Sequence, residues 1–160
     1  MTRPEALSRR SLMLSGLAAA GLLVTPAVVG AAGPVLHVAK DPDCGCCNAW
    51  IDILRAAGLS VTVEHLDPGR LLALKRESGI PKAAFSCHTG RISGYVIEGH
   101  VAVADIRRLP DERPDAIGLA VPGMPYGSPG MGPETAREAY DVLLVRRDGR
   151  LEVFNRYEAA

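Results

Sequence analysis

All four cysteines of this chain fall in two short clusters, Cys44-Gly45-Cys46-Cys47 and Cys87-His88. Cysteines used as small buried hydrophobes are scattered among apolar positions, whereas three of these crowd beside Gly45 and a polar loop. Three chemistries suit that spacing: metal ligation, thiol redox, or a structural staple. Cys44 and Cys47 form a Cys-x-x-Cys pair at what reads as a helix start, where amide donors and the helix dipole favour thiolates. For redox work Cys46 is a liability, because a third thiol beside Cys47 can divert a mixed disulfide into the wrong pairing. A metal site makes better use of it. Neighbouring cysteines on one helical turn point about 100° apart, so Cys46 and Cys47 are placed to bridge adjacent ions. Cu(I) suits such ligands, being soft and content with two or three thiolate or thioether donors. Zinc could take Cys44, Cys47, Cys87 and His88, but that set departs from the usual paired spacing and leaves Cys46 spare. Two disulfides are the other alternative; they would strain any Cys46–Cys47 link and close few long loops.

Beside the thiols stand weaker candidates. His88 adjoins Cys87 and is a candidate ligand, while His37, His65 and His100 read as structural or turn histidines. Residues 110–133 hold six prolines and five glycines together with Met124 and Met131. That composition reads as one long loop without periodic structure, and prolines between the two methionines forbid helical stacking. The pair therefore reads either as an adaptable apolar clamp or as thioether donors to a soft metal.

The elements that must position these groups are legible as an α/β pattern. Residues 35–39 read as a strand ending in the turn Lys40-Asp41-Pro42-Asp43, and Trp50, Ile51, Ile53, Leu54 and Ala57 recur at helical spacing up to Gly58. The cysteine cluster thus sits on a strand-to-helix turn. Ser60–His65 alternates as a second strand, Leu71 to Lys75 suggests a helix stopped by Ser78-Gly79, and Ile80-Pro81 leads through residues 83–85 toward Cys87-His88. Residues 95–97 return as a strand, 102–109 form a short helix, and Asp148-Gly149 between two apolar runs marks a terminal hairpin. The expected fold is α/β, a mixed sheet flanked by helices. A Cys-x-x-Cys pair at a helix start resembles thioredoxin-like proteins, and that resemblance implies a thioredoxin-like fold in which Pro81 precedes a strand at 83–85 that faces the cysteines.

The start of the chain predicts export. Arg9-Arg10 precede an apolar run over 12–29 and small residues at 30–32, the layout of a cleaved signal of twin-arginine type. An uncleaved anchor and ordinary Sec export are the alternatives. Cleavage after Ala32 leaves one domain, residues 33–160, with fifteen Lys/Arg against seventeen Asp/Glu. That balance gives no basic surface for nucleic acid or anionic membrane. The expected compartment is the bacterial periplasm, where thiols must be paired, protected by metal or kept reduced.

Taken together, Cys44 to Cys47, Ser86-Cys87-His88-Thr89, Gly94-Tyr95-Val96-Ile97-Glu98-Gly99-His100-Val101 and Gly118-Leu119-Ala120-Val121-Pro122-Gly123-Met124-Pro125 resemble the CopG-type periplasmic copper-resistance proteins. That family, once described as a domain of unknown function, is unrelated to the DNA-binding repressors of the same name. The resemblance runs from about Val35 to Met131 and implies a thioredoxin-like fold, copper as the metal and a role in copper resistance. It implies Cys44, Cys46, Cys47 and Cys87 as ligands, with His88, Met124 and Met131 beside them. The expected function is Cu(I) binding, in a multinuclear cluster or not. A copper-handling partner and a thiol-disulfide or copper oxidoreductase using Cys44 and Cys47 are the further readings.

Overall fold

A computed structural model describes residues 33–160, so the expected export signal lies outside the described residues. Strand β1 (Val35–Lys40) buries Leu36 and Val38 and ends in a turn where Asp41 accepts from the amides of Asp43 and Cys44. Helix α1 (Gly45–Ala56) follows at once, burying Cys47, Trp50, Ile51 and Leu54, the stripe expected of an amphipathic helix on a sheet. Strand β2 (Ser60–His65) returns parallel to β1. Helix α2 (Pro68–Glu77) begins ahead of the apolar run that announces it. Asp67 caps the amides of Gly69 and Arg70 at 3.0 Å, and Pro68 takes the first turn, where no amide is needed.

Residues 83–85 are not the expected strand. Residues Lys82–Ala84 form a single 3-10 turn, and the next strand, β3 (His88–Ile92), starts within the second cluster, at the residue after Cys87. Pro81 and the following Lys82-Ala83-Ala84 favour a tight turn, and both sides of β1 are taken by β2 and β3. A Ser93-Gly94 turn, with both residues at positive φ, reverses the chain into β4 (Tyr95–Glu98). Helix α3 (Val103–Glu112) then crosses to β5 (Gly118–Ala120), parallel to β4.

Strand β5 corrects the expectation of an unstructured stretch over 110–133. Gly118, Leu119 and Ala120 are all buried, paired with β4 on one side and β6 (Tyr140–Val145) on the other. Three residues between prolines are too short to show a strand period. The terminal hairpin of β6 and β7 (Leu151–Tyr157) extends the same sheet. The order is β2-β1-β3-β4-β5-β6-β7, a mixed seven-stranded sheet.

Two apolar clusters divide the sheet faces. Trp50, Ile51, Leu54, Ile106 and Leu109 from α1 and α3 meet Leu36, Ile97, Leu119 and Val142 in the larger one. Ile80, Ala84, Val96, Ala120 and Val145 form the smaller. Alternation along β3 and β4 places His88 and Ile97 on the first face and Thr89 and Glu98 on the second. Gly99, which follows β4 at φ +73°, leaves no room for a side chain: a Cβ there would lie 2.4 Å from Ser86 Oγ and 2.6 Å from the Val121 carbonyl. Gly99→Ala is expected to destabilise the chain by roughly 2–3 kcal/mol, combining left-handed strain with that clash, and a urea titration checks it.

Candidate metal centre

The site is assembled from two chain reversals. Cys44 is the N-cap of α1, with no side-chain cap and no acidic residue in the first turn, so the helix start turns bare amides toward sulfur. The β3–β4 hairpin brings the second cluster up beside it. Among the described residues, the ligand atoms of Cys44, Cys46, Cys47 and Cys87 lie within 4.8 Å of one another, and so do those of Cys87, His88 and His100. Cys87 belongs to both groups.

Cys44 and Cys47 are joined here by a disulfide, with Cα atoms 5.4 Å apart. Cys46 and Cys87 remain free, their sulfurs 4.0 Å apart, and Cys46 Sγ lies 3.5 Å from Cys44 Sγ. Of the two disulfides weighed from the sequence, one forms in this structure. Reduced, the same positions present four thiols to one small volume.

The nitrogen side involves a residue that sequence reasoning set aside. His100 read as a turn histidine, yet it is fully buried with Nε2 3.1 Å from Cys87 Sγ and Nδ1 2.7 Å from the Pro129 carbonyl. A carbonyl only accepts, so Nδ1 carries the proton and the Nε2 lone pair faces the sulfur. His88 sets Nδ1 3.3 Å from the same sulfur, packs its ring 4.2 Å from Trp50, and leaves Nε2 buried without a partner. Burial holds both imidazoles below the ordinary histidine range, and for His88 the neighbouring His100 and Lys75 add to it. Neutral imidazoles are what a metal requires.

Burial and the neighbouring Cys46 push the Cys87 thiol up to about 12. A raised pKa keeps sulfur protonated through the physiological range, so its thiolate emerges only as pH climbs toward that value. Cys87 is therefore expected to alkylate with iodoacetamide at least about 10-fold more slowly in the folded chain than in urea, at mildly alkaline pH. Mass-spectrometric peptide counting reads this directly. A metal held by this sulfur would have to displace that proton, so its affinity would strengthen as pH rises.

The methionine loop is fastened on both sides of the sulfur group. Ser86 Oγ donates to the Gly123 carbonyl and Gly123 donates to Phe85 at 3.1 Å, holding the residue before Met124 next to Cys87. At Gly130, φ +85°, a Cβ would meet Trp50 N at 2.7 Å and the Cys46 carbonyl at 3.0 Å, so the residue before Met131 sits on the first turns of α1. Met124 is half-exposed and Met131 partly buried.

On the opposite sheet face, Glu98 is completely buried and accepts from Lys75 Nζ at 2.6 Å, from the Ser86 amide at 2.7 Å and from Thr89 Oγ1 at 2.7 Å. Burial raises its carboxyl, while Lys75 pulls it back down. The sequence did not name this pair: a lysine at a helix position that periodicity assigns to the core calls for a buried acceptor, but no local pattern says which.

A family profile described as "Protein of unknown function, DUF411" matches residues 84–131. Two solved structures named copper resistance protein CopG, form 2 and form 1, are 44% and 43% identical to this chain, each with a TM-score of 0.72. Each match covers 78% of this chain and 98% of the other. The chain belongs to the CopG copper-resistance family. No match is found among curated proteins. For a CopG-family member, the cysteine group capable of binding metal fits a copper-related role, and the expected resemblance holds. Among the described residues no helix is long and apolar enough to cross a membrane.

Proposed function

We propose that this chain is a periplasmic Cu(I)-binding protein of copper resistance. In its reduced form it holds copper through Cys44, Cys46, Cys47 and Cys87, with His88 and His100 as nitrogen donors on the Cys87 side. Met124 and Met131 are the thioethers beside it. One observation carries the reading: Cys46 and Cys87, 41 residues apart in sequence, meet beside Cys44 and Cys47 at a helix N-terminus, with all four sulfurs within 4.8 Å of one another. Thiolates so close can bridge, which supports a cluster of several Cu(I) ions and leaves no spare sulfur, as zinc would. The orphaned Nε2 of His88 is a second mark of a missing partner, since buried polar atoms are otherwise satisfied.

A thioredoxin-like ancestry for the scaffold is supported by the order β2-β1-β3-β4, the reversal of β3, and cysteines at the start of the helix after β1. The signal-like segment over 1–32 supports export by the twin-arginine route. A store and a chaperone that passes copper to another copper-handling protein share these ligands. Competition of the reduced chain against a Cu(I) chelator, with metal counting, tests the proposal: retention of Cu(I) over Zn(II) is expected, and a reduced chain that retains no copper contradicts it.

The Cys44–Cys47 disulfide favours a second reading, a copper or thiol-disulfide oxidoreductase. Two Cu(II) ions would take one electron each from the paired thiolates, leaving two Cu(I) and the disulfide. The readings differ at Cys46. Cys46→Ser weakens Cu(I) binding if that sulfur bridges ions, yet spares insulin-type disulfide reduction if only the outer pair works.

A further inference from the structure

The buried polar group beneath the second cysteine cluster has no place in metal ligation as described, and it is unlike the rest of its sheet face. Ile80, Ala84, Val96, Ala120 and Val145 make that face apolar, yet Lys75 from α2 and Glu98 from β4 meet within it, 5% and 0% exposed. Removing two charges from water costs several kcal/mol each, and apolar residues of similar volume often serve stability as well or better. What the pair does have is an unusual set of partners. Glu98 Oε1 accepts the Ser86 amide, one residue before Cys87, and Oε2 accepts the hydroxyl of Thr89, one residue after His88. Lys75 closes the ring by donating to Glu98 at 2.6 Å and to Thr89 Oγ1 at 2.9 Å. Two residues beyond Glu98, His100 reaches the same cysteine.

We propose that Glu98, held by Lys75, is a positioning residue that clamps the Cys87-His88 dipeptide from both sides and sets its sulfur against Cys46 and His100. The clamp acts through the backbone at Ser86 and the side chain at Thr89, so it touches no metal. This rests on the copper-site reading for its purpose and on the hydrogen-bond geometry for its existence.

Two double variants separate position from stability. Lys75→Leu with Glu98→Leu fills the space but removes every acceptor, whereas Lys75→Met with Glu98→Gln discards the charges and keeps an amide oxygen for the Ser86 amide. The first is expected to remain folded by circular dichroism and to bind Cu(I) about 10- to 100-fold more weakly, the range outer-shell partners command, with fewer sulfur and nitrogen scatterers by X-ray absorption. The second is expected to recover most of the affinity. If the apolar pair fails to fold, Thr89→Val, which deletes one hydroxyl from the ring, carries the same comparison with a smaller loss.

A copper-free measurement keeps the clamp distinct from the copper reading. In a Cys46→Ser background, Cys87 of the metal-free chain is expected to alkylate several-fold faster once the clamp is broken, and slowly again in the Met/Gln variant. Faster alkylation in a chain whose parent retains no copper sustains the clamp and sinks the copper site. Unchanged alkylation together with unchanged affinity in the folded Leu/Leu variant overturns the clamp and leaves the copper site standing.

Discussion

Reducing the Cys44–Cys47 disulfide is expected to raise Cu(I) affinity by more than about 100-fold, roughly 2.8 kcal/mol. In the oxidised chain only Cys46 and Cys87 remain as free thiols, with the two imidazoles beyond them. Reduction frees two more sulfurs at the N-terminus of α1, where the bare amides of the first turn favour negative charge. Outer-shell substitutions alone cost metal sites up to about 100-fold, so on the proposed ligand set the loss of two sulfurs is expected to exceed that. Chelator competition on matched oxidised and reduced samples measures the ratio. Equal affinities would mean that Cys44 and Cys47 take no part in binding.

Cys87→Ser is expected to be the most damaging single substitution, with a loss beyond about 100-fold, larger than that of Cys44→Ser. Cys87 alone belongs to both ligand groups, so its removal cuts the sulfur set and unseats the shared partner of His88 and His100. Serine is close in size and the site is near the surface of the sheet end, so the fold should survive. In Cys44→Ser, by contrast, Cys87, His88 and His100 stay together. Titration of both variants under reducing conditions, with thermal melts as control, orders the losses; a smaller loss at Cys87 would place the binding centre nearer the helix.

How far these groups were readable from sequence depends on the kind of signal each carried. The strand-to-helix turn bearing Cys44 to Cys47 was legible, because a β-prone run, a Pro-Asp turn and a helical apolar stripe agree with one another. β5 was not, since three buried residues between prolines carry no period. His100 was within reach. With Ile92 opposite Tyr95 across the Ser93-Gly94 turn, antiparallel counting sets Thr89 opposite Glu98, as observed, and carries on to Cys87 opposite His100. Treating Gly99-His100 as an ordinary turn hid a contact that the hairpin register already contained. The Lys75–Glu98 pair lay beyond sequence reasoning, because it depends on how α2 packs across β3 and β4, a tertiary choice that local pattern does not record.

Copper X-ray absorption on the fully reduced chain loaded with Cu(I) tests the central claim most directly. Sulfur from Cys44, Cys46, Cys47 and Cys87 should dominate the first shell, with copper–copper scattering where thiolates bridge and the nitrogen contribution lost in a His88→Ala, His100→Ala double variant. A shell of nitrogen and oxygen without sulfur, or copper removed entirely by desalting, would contradict it.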